Sequence, residues 1–287
     1  TILLQGSSVK YLTFLGDMFD GVQCPCILLQ LVATGKPLST VGMRIEDRTR
    51  TFIIAMERTV VPENFSFRMT DEEYRVLEKI KNSIPVCYLT DHADFALGIV
   101  TGNNKKFLSA EKTEHSEMVL KGTDICKYHI NPVKQYLRFE PEQFQQVAPL
   151  EIYRAPEKLL YRFISNQLVV AYDDRQMLSL NSCNIVIPKI EGMQIKYILA
   201  ILNSSVSQFV YQKEFHSIKV LRAHMEHIPI PRVGKAIQNE IIAMTEPLIC
   251  GMGKEAAETC QKRLDCRIMD LFRLSAEEQW IIRHALH

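Results

Sequence analysis

The 287-residue sequence lacks the features that mark membrane and secreted proteins. No apolar run approaches the roughly eighteen residues that cross a bilayer, so we expect no membrane partner. The opening residues, TILLQGSSVK, contain neither the apolar core nor the cleavage site of a secretory signal. These absences favour a cytoplasmic protein, and the start without Met favours a piece of a longer one. The formal net charge is only +1, so the distribution of charge, rather than its sum, must indicate partners.

The eight cysteines also lack the spacing of a metal site. Cys24 and Cys26 flank a proline inside an apolar run, which is typical of strand positions. Cys260 and Cys266 lie six residues apart, with no paired Cys or His at zinc-finger spacing. The sequence therefore predicts no metal, and it predicts reduced, mostly buried thiols.

The motifs of self-sufficient enzymes are missing as well. In GIVTGNNKKFL, residues 98–108, the glycine spacing is wrong for a phosphate-binding P-loop, and no Ser or Thr directly follows the lysine pair. The glycines of FLGDMFDGV lack the spacing of a dinucleotide or S-adenosylmethionine fold, and the chain has no G-x-S-x-G. His216, His224 and His227 have no Ser or Cys partner nearby in sequence. The chain therefore presents no recognisable active site of its own.

In the N-terminal part, the hydrophobic pattern predicts two strands and a helix. The apolar run 24–33 and residues 49–60 are predicted to pair as a hairpin with a long connection that includes Pro37. Thr70–Glu73 forms a capping box, and a short helix is expected to run from this box to a point before Pro85.

The rest of the chain predicts a mixed, α+β fold that is followed by helices. Short strands such as 167–173 and 184–188 alternate with helices. One helix is predicted to begin at Ala155, with proline and an acidic residue in its first turn, and a longer helix is predicted within 193–212. Residues 233–287 are helical by pattern.

Six stretches resemble, in this order, adenine-specific DNA methyltransferases of restriction–modification systems: YLTFLGDMFDGVQCPCILLQL, VLKGTDICKY, YRAPEKLLYRFI, LVVAYDDRQMLSLNSCNIVIP, ILAILNSS and KVLRAHMEHIPIP. The resemblance is to the branch whose C-terminal part is called the TaqI-like specificity domain, and it covers residues 11–232. It implies a parent enzyme that uses S-adenosylmethionine.

The departures from that family are equally informative. Such enzymes carry a cofactor motif and an N-P-P-[YF] motif, whereas Asn131–Lys134 lacks the second proline and the aromatic residue. The resemblance therefore implies a C-terminal portion that needs no cofactor of its own and does not methylate alone. Its implied parts are a catalytic-domain remnant with a terminal strand hairpin (1–62), a connecting helix (63–83), a target-recognition domain (84–232) and a helical segment (233–287).

Candidate contacts to DNA follow from the resemblance and from residue types. Phe19, in GDMFDGV, occupies the place where the family has an aromatic residue that stacks on a flipped base. Lys158 and Arg162, four apart on the predicted helix, would add a cationic edge. Glycines would let the backbone approach phosphate, while polar and cationic side chains would reach bases or phosphates. The candidate contacts are Thr101, Gly102, Asn103, Asn104, Lys105, Lys106, Lys121, Gly122, Arg154, Lys158, Arg162, Tyr172, Asn181, Ser182, Asn184, Lys213, Lys219 and Arg222.

Two functions remain open at this point. The first is a sequence-specific recognition module for double-stranded DNA, which works with the upstream catalytic domain of its parent in restriction–modification or phage defence. The second is a protein-interaction module whose helices within 233–287 dock another subunit. The first predicts DNA binding that weakens steeply with salt, because each neutralised phosphate releases counterions. A solvated polar turn remains the alternative interpretation of residues 101–106.

Overall fold

Two units make up the chain, residues 1–78 and residues 79–287. The fold is taken from a computed structural model that describes residues 6–22, 24–36, 38–58, 67–215 and 217–286. The finer domain boundaries predicted from the sequence stay predictions.

Unit 1 contains a four-stranded sheet of order β2-β1-β3-β4, formed by β1 (Ser7–Asp17), β2 (Pro25–Ala33), β3 (Arg44–Glu46) and β4 (Thr51–Ile53). Strand β1 is antiparallel to β2 and parallel to β3. The strand predicted at 24–33 is confirmed. One side of this sheet packs on a small apolar core of Val9, Leu12, Met43, Ile45, Ile54 and Phe67.

The hairpin predicted between residues 24–33 and 49–60 is wrong. Strand β2 pairs with β1, and β4 pairs with β3. The regular part of 49–60 ends at Ile53, because the backbone N–H of Ala55 donates to Asp71 Oδ2 (2.8 Å) instead of to a neighbouring strand. Pro37 and residues 59–60 lie outside the described residues.

Helix α1 (Asp71–Asn82) follows the predicted capping box. Thr70 N–H donates to Glu73 Oε2 (2.9 Å), and Glu73 N–H donates to Thr70 Oγ1 (3.3 Å). The helix ends before Pro85, as predicted. Its buried face contains Leu77 and Ile80.

The described residues of unit 2 form three small sheets, of order β11-β10-β13-β6, β12-β8-β9-β7 and β14-β5. Their strands are β5 (Val86–Cys87), β6 (Ala93–Ala96), β7 (Leu108–Ser109), β8 (Ser116–Leu120), β9 (Tyr136–Arg138), β10 (Lys158–Arg162), β11 (Val170–Asp173), β12 (Leu178–Ser179), β13 (Cys183–Pro188) and β14 (Ile230–Pro231). The strand predicted at 167–173 forms over Val170–Asp173, and the strand predicted at 184–188 is confirmed. Side chains from the two larger sheets share one apolar core, so these sheets hold the loops between them in place.

The helices of unit 2 are α2 (Asn104–Phe107), α3 (Leu150–Tyr153), α4 (Ile195–Asn203), α5 (Ser205–Phe215), α6 (Arg222–Glu226), α7 (Lys235–Ile249), α8 (Lys254–Leu271) and α9 (Ala276–Ala285). The mixed fold and the helical C-terminal segment are confirmed. The helix predicted within 193–212 is instead two helices, α4 and α5. They part at Ser204, whose hydroxyl donates to Ile201 O (2.7 Å) and accepts from Ser207 N–H (3.2 Å), capping α5.

The helix predicted to begin at Ala155 is wrong, because residues 158–162 form strand β10. This strand lies between β11 and β13 and pairs antiparallel with both. Most of its side chains are buried, including Lys158. Pairing on two sides and burial therefore override the local helix-start signal.

Candidate nucleic-acid interface

The loop that follows β6 packs tightly against the turn between β12 and β13. Ile99 N–H donates to Ser179 O (2.7 Å), and Asn181 N–H donates to Ile99 O (3.1 Å). A Cβ atom at Gly98 would lie only 2.1 Å from Leu180 O, so only glycine fits there. This role of Gly98 is not among those predicted from the sequence. The only local signal is a glycine placed directly after an apolar stretch.

Residues 101–106 form a capped turn. Gly102 has φ +74°, a left-handed conformation that favours glycine. Asn103 caps α2, because its Oδ1 accepts from Lys106 N–H (3.2 Å). The buried Thr101 hydroxyl donates to Asn104 Oδ1 (2.6 Å), and Lys106 Nζ donates to Gln143 Oε1 (2.7 Å). The amide oxygens of both asparagines thus hold the turn, while the lysine side chains are exposed.

Lys121 and Gly122 flank the same β12–β13 turn on another side. The N–H of Gly122 donates to Ser182 Oγ (3.0 Å), and a Cβ atom there would lie 2.5 Å from Ser182 O. Gly122 is buried, so its close approach is to Ser182 and not to DNA, which corrects the prediction. The Arg162 guanidinium donates to Gly122 O (2.8 Å) and Ile125 O (2.6 Å), so it stabilises this turn from within.

These loops form one surface, which we call the three-loop surface: the exposed residues Gly102–Lys106, Lys121 and Asn181. Lys219 extends this surface. Phe163 N–H donates to Ser182 O (3.0 Å) in the β12–β13 turn, and the next residue, Ile164, forms a β-bridge with Lys219. The surface carries four lysines, and Asn181 exposes its amide. Such an arrangement can bind an extended anion and can also form directional hydrogen bonds.

Lys158 and Arg162 do not form the predicted cationic edge. Lys158 is fully buried; its Nζ lies 2.6 Å from Asp173 Oδ2 and donates to Tyr153 O (2.6 Å). Burial lowers the pKa of Lys158, and the Asp173 carboxylate opposes that shift. Because β10 is a central strand, the side chain at this position points into the core.

Three further predicted contacts are also buried. The Tyr172 hydroxyl donates to the Glu157 carboxylate, and burial raises the pKa of that hydroxyl. Asn184 Oδ1 accepts from Gly98 N–H (3.2 Å), which fixes the start of the loop. Lys213 lies inside α5 with its ammonium 5.8 Å from the Phe209 ring centre. The interior position of all three makes them parts of the framework.

Arg154 and Arg222 lie outside the three-loop surface and already have carboxylate partners. Arg154 Nη2 lies 2.6 Å from Glu117 Oε2, and Arg222 Nε lies 2.8 Å from Glu226 Oε1. In unit 1, Phe19 follows β1 with 63% of its surface exposed. The stacking of the Phe19 ring on a flipped base stays a prediction.

Most of the cysteines are not buried, and His224 makes local contacts. Only Cys87 and Cys183 are buried, so the prediction of mostly buried thiols is wrong. His224 Nδ1 accepts from Leu221 N–H (3.2 Å), and its ring stacks on Phe215 at 4.4 Å. His216 lies outside the described residues. Among the residues that are described, no three His, Cys, Asp or Glu side chains come together to hold a metal.

Within the described part of the chain, no helix has both the length and the apolar character that crossing a bilayer requires.

Comparison with known proteins adds a family and a fold. Residues 117–230 match the model of the TaqI-like C-terminal specificity domain. No curated protein sequence matches the chain. The type IIL restriction-modification enzyme MmeI, solved in complex with DNA, is similar over 98% of this chain and 45% of its own, with 9% identity and a TM-score of 0.58.

Two further solved structures are more distant. The HsdS subunit from Thermoanaerobacter tengcongensis matches 75% of this chain and 50% of its own at 13% identity, with a TM-score of 0.39. The type IIG restriction endonuclease BpuSI matches 94% and 44% at 11% identity, with a TM-score of 0.40. The chain thus spans about half the length of the solved proteins that it matches, or less. Residues 117–230 of this chain thus match the model of the TaqI-like C-terminal specificity domain, as the resemblance predicts.

Proposed function

We propose that the chain recognises a specific sequence in double-stranded DNA, as the target-recognition part of a restriction–modification enzyme. The observation that carries this proposal is the match to a specificity-domain family over residues 117–230. The similarity in fold to MmeI, which was solved with DNA bound, supports it. The three-loop surface supplies what such a module needs, namely cations for phosphates and an amide for a base edge.

The lysines of this surface are proposed to position the duplex. Lys105, Lys106 and Lys121 are exposed and stand on loops whose backbones are fixed by hydrogen bonds and by close glycine packing. A loop whose backbone is already fixed need not be ordered on binding, and each phosphate that its lysines neutralise releases condensed counterions.

Asn181 is proposed to read a base. A bidentate contact to adenine requires a free amide oxygen and a free amide nitrogen. The oxygens of Asn103 and Asn104 are already acceptors within their own turn. Asn181 is exposed, its N–H donates to Ile99 O, and the next residue, Ser182, accepts from Gly122 N–H, so its turn contacts both other loops. Asn181, and not Asn103 or Asn104, is therefore the residue that we expect to contact a base.

The parent enzyme is proposed to be an adenine-specific methyltransferase that uses S-adenosylmethionine. The ordered motif series from residue 11 to residue 232 supports this assignment. Because Asn131–Lys134 lacks the adenine-holding pattern, the chain alone is proposed to be inactive and to bind no cofactor for methylation. Phe19 is proposed to stack on the flipped adenine in that parent. Phe19→Ala is then expected to slow methylation by about fivefold or more, since such stacking contributes about 1–3 kcal/mol, while duplex affinity is unchanged.

Strand β2 supports an upstream catalytic domain as partner. It is an edge strand, yet Ile27 and Leu28 are exposed by 56% and 50%. Successive side chains point to opposite faces, so both faces of β2 are apolar, which is typical of a strand covered on both sides. We infer that the sheet of the upstream domain continues beyond β2. Ile27→Lys with Leu28→Lys should then destabilise the full-length parent strongly and this chain only slightly, as thermal unfolding of both would reveal.

Fluorescence anisotropy with labelled duplex DNA tests the recognition proposal. The double variant Lys105→Ala/Lys106→Ala should weaken binding about tenfold or more at low salt and reduce the slope of log affinity against log salt by about 1–2. Lys235→Ala/Lys254→Ala removes the same charge from exposed positions on α7 and α8, and it should change affinity less than twofold, that is, by less than about 0.4 kcal/mol.

Selection of bound duplexes from a random pool separates base reading from phosphate binding. Asn181→Ala should lose enrichment of the sequence that the wild type selects, while it keeps its affinity for unselected DNA. If the wild type binds no duplex at low salt but binds another subunit tightly, the docking function of the helices in 233–287 replaces the present proposal.

A further inference from the structure

Two adjoining cavities in unit 2 share no lining residue with the three-loop surface. The first, of about 420 Å³, is mostly apolar and includes Leu248 and Met252 in its wall. The second, of about 550 Å³, lies among α5, α8 and α9; we call it the polar cavity because most of the residues that line it are polar or charged, although more of its surface is apolar. Lys127 and Lys262 line both cavities, so together they form one cleft along α8, which we call the α8 cleft. Volumes of this size suit small ligands.

The wall of the apolar cavity contains a backbone outlier. Tyr128 has φ +75°, which is rare for a bulky side chain. Its N–H donates to Val170 O (2.7 Å), and its carbonyl accepts from Tyr172 N–H (3.0 Å), so strand β11 holds it in this conformation. Strained residues of this kind concentrate at ligand-binding sites, where the surrounding structure maintains them for a purpose.

The α8 cleft also gathers buried polar groups that have no hydrogen-bond partner. The Tyr128 hydroxyl and Gln261 Nε2 belong to residues that line the apolar cavity, and Gln208 Nε2 to one that lines the polar cavity. They are three of seven such atoms among the described residues. The Gln261 amide is near enough to the Tyr128 hydroxyl to lower its pKa, which burial raises, but the two groups do not form a hydrogen bond of good geometry. Buried polar groups are nearly always satisfied in proteins, so this concentration indicates a missing partner.

The polar cavity has an excess of positive charge. Lys127 Nζ donates to Asn203 O (3.0 Å), and Asp265 accepts from Ser205 N–H (2.8 Å) and Ser205 Oγ (2.7 Å). Arg283 contacts sulfur atoms and an amide oxygen, and no carboxylate of the described residues lies within ion-pair distance of it. Lys127, Lys262 and Arg283 thus line the polar cavity together with one carboxylate, that of Asp265. A bound anion would neutralise part of this excess positive charge.

We propose that the α8 cleft binds a nucleoside phosphate. The base lies in the apolar cavity and pairs with the Tyr128 hydroxyl and the Gln261 amide. The phosphate lies in the polar cavity near Lys127, Lys262 and Arg283. A purely hydrocarbon ligand is excluded on chemical grounds, because it would leave both buried polar groups of the apolar cavity unpaired. Inorganic phosphate alone would leave the apolar cavity empty.

Isothermal titration calorimetry with adenosine 5′-monophosphate, adenosine and inorganic phosphate tests this site on the whole chain without DNA. The monophosphate should bind at least about tenfold more tightly than either adenosine or phosphate, since both cavities then contribute. Lys262→Ala should weaken the monophosphate about fivefold or more and leave adenosine unchanged, while Tyr128→Phe should weaken both. Arg263→Ala, an exposed neighbour that lines neither cavity, is the matched control and should bind like the wild type.

The exposed position of Lys262 keeps the test independent of folding, because its truncation removes no buried contact. If the monophosphate gives no heat up to about 10 mM, or binds no more tightly than phosphate alone, the proposal is wrong and water satisfies the buried groups. The same conclusion follows if Lys262→Ala and Arg263→Ala behave alike. Neither outcome affects the proposed DNA recognition, which is measured with separate variants and with duplex DNA.

Discussion

Lys158 and Lys105 carry the same charge in similarly polar stretches of sequence, but the fold places them in opposite environments. Lys158 lies in a central strand, fully buried and paired with Asp173. Lys105 lies in a capped turn with its side chain in solvent. The difference shows that a cation contributes to a binding surface only if no element packs over it. The expected loss of stability on substitution therefore decreases from the buried pair to the exposed lysines.

The largest effect is expected at the buried pair. Lys158→Met leaves the Asp173 carboxylate buried without its cation, and it should lower the free energy of unfolding by about 3–5 kcal/mol. Urea unfolding measures the loss. The control is Lys189→Met, because the side chains of Lys189 and its partner Asp94 are 59% and 44% exposed, and it should cost less than about 1 kcal/mol. A loss at Lys158 no larger than at Lys189 would contradict the comparison.

A smaller loss is expected at the glycine that supports the exposed lysines. In Gly122→Ala the new Cβ atom would lie 2.5 Å from Ser182 O, so the turn must move at a cost of about 1–3 kcal/mol. At Gly234 no atom lies within 4 Å of an added Cβ, so Gly234→Ala should cost less than about 1 kcal/mol. Thermal unfolding compares the two variants. Equal melting temperatures would show that the approach of Gly122 to Ser182 is not tight.

The half-buried ion pair between Lys79 and Glu278 should contribute about 0.5–1 kcal/mol at neutral pH. Its side chains are 31% and 24% exposed, and Lys79 Nζ lies 2.6 Å from Glu278 Oε2. Burial alone would raise the pKa of Glu278, but the Lys79 ammonium and Ser275 N–H hold it below its ordinary value of 4.5. A lowered pKa stabilises the fold at higher pH, and this stability is lost as the pH falls through the lowered value.

The matching experiment is urea unfolding of Glu278→Gln at pH 7 and at a pH below the folded-state pKa of Glu278. The variant should be less stable than the wild type at pH 7 and equal to it in acid. Glu277→Gln, at an exposed position one residue earlier, should match the wild type at both pH values. A stability difference that persists unchanged in acid would rule out the ion pair as its cause.

The smallest effect on stability is expected at the exposed lysines Lys105 and Lys106. Lys105→Ala/Lys106→Ala should change the free energy of unfolding by less than about 0.5 kcal/mol, although it weakens duplex binding in the titration described above. Chemical unfolding and anisotropy on the same samples test both statements. A large stability loss would place these lysines with the framework residues and remove the reason to assign them to DNA.

Local signals predicted a good part of the fold. The capping box at Thr70 and the helical pattern after residue 233 depend on neighbours in sequence, so they were read correctly. The apolar run at 24–33 was identified as a strand, but its partner β1 was not, because pairing depends on contacts between separate segments. For the same reason the local pattern predicts a helix over residues 158–162, where the structure has strand β10.

The sequence by itself determined the strand and helix segments that have strong periodicity, the absence of familiar catalytic motifs and the resemblance to one specificity family. Only the tertiary structure decided which polar residues are available. The structure buries the side chains of Asn184, Lys158 and Lys213. It leaves Asn181 and Lys121 exposed to solvent. The physical reason is that burial depends on which distant segments pack over a side chain, and no local pattern of charge encodes that packing.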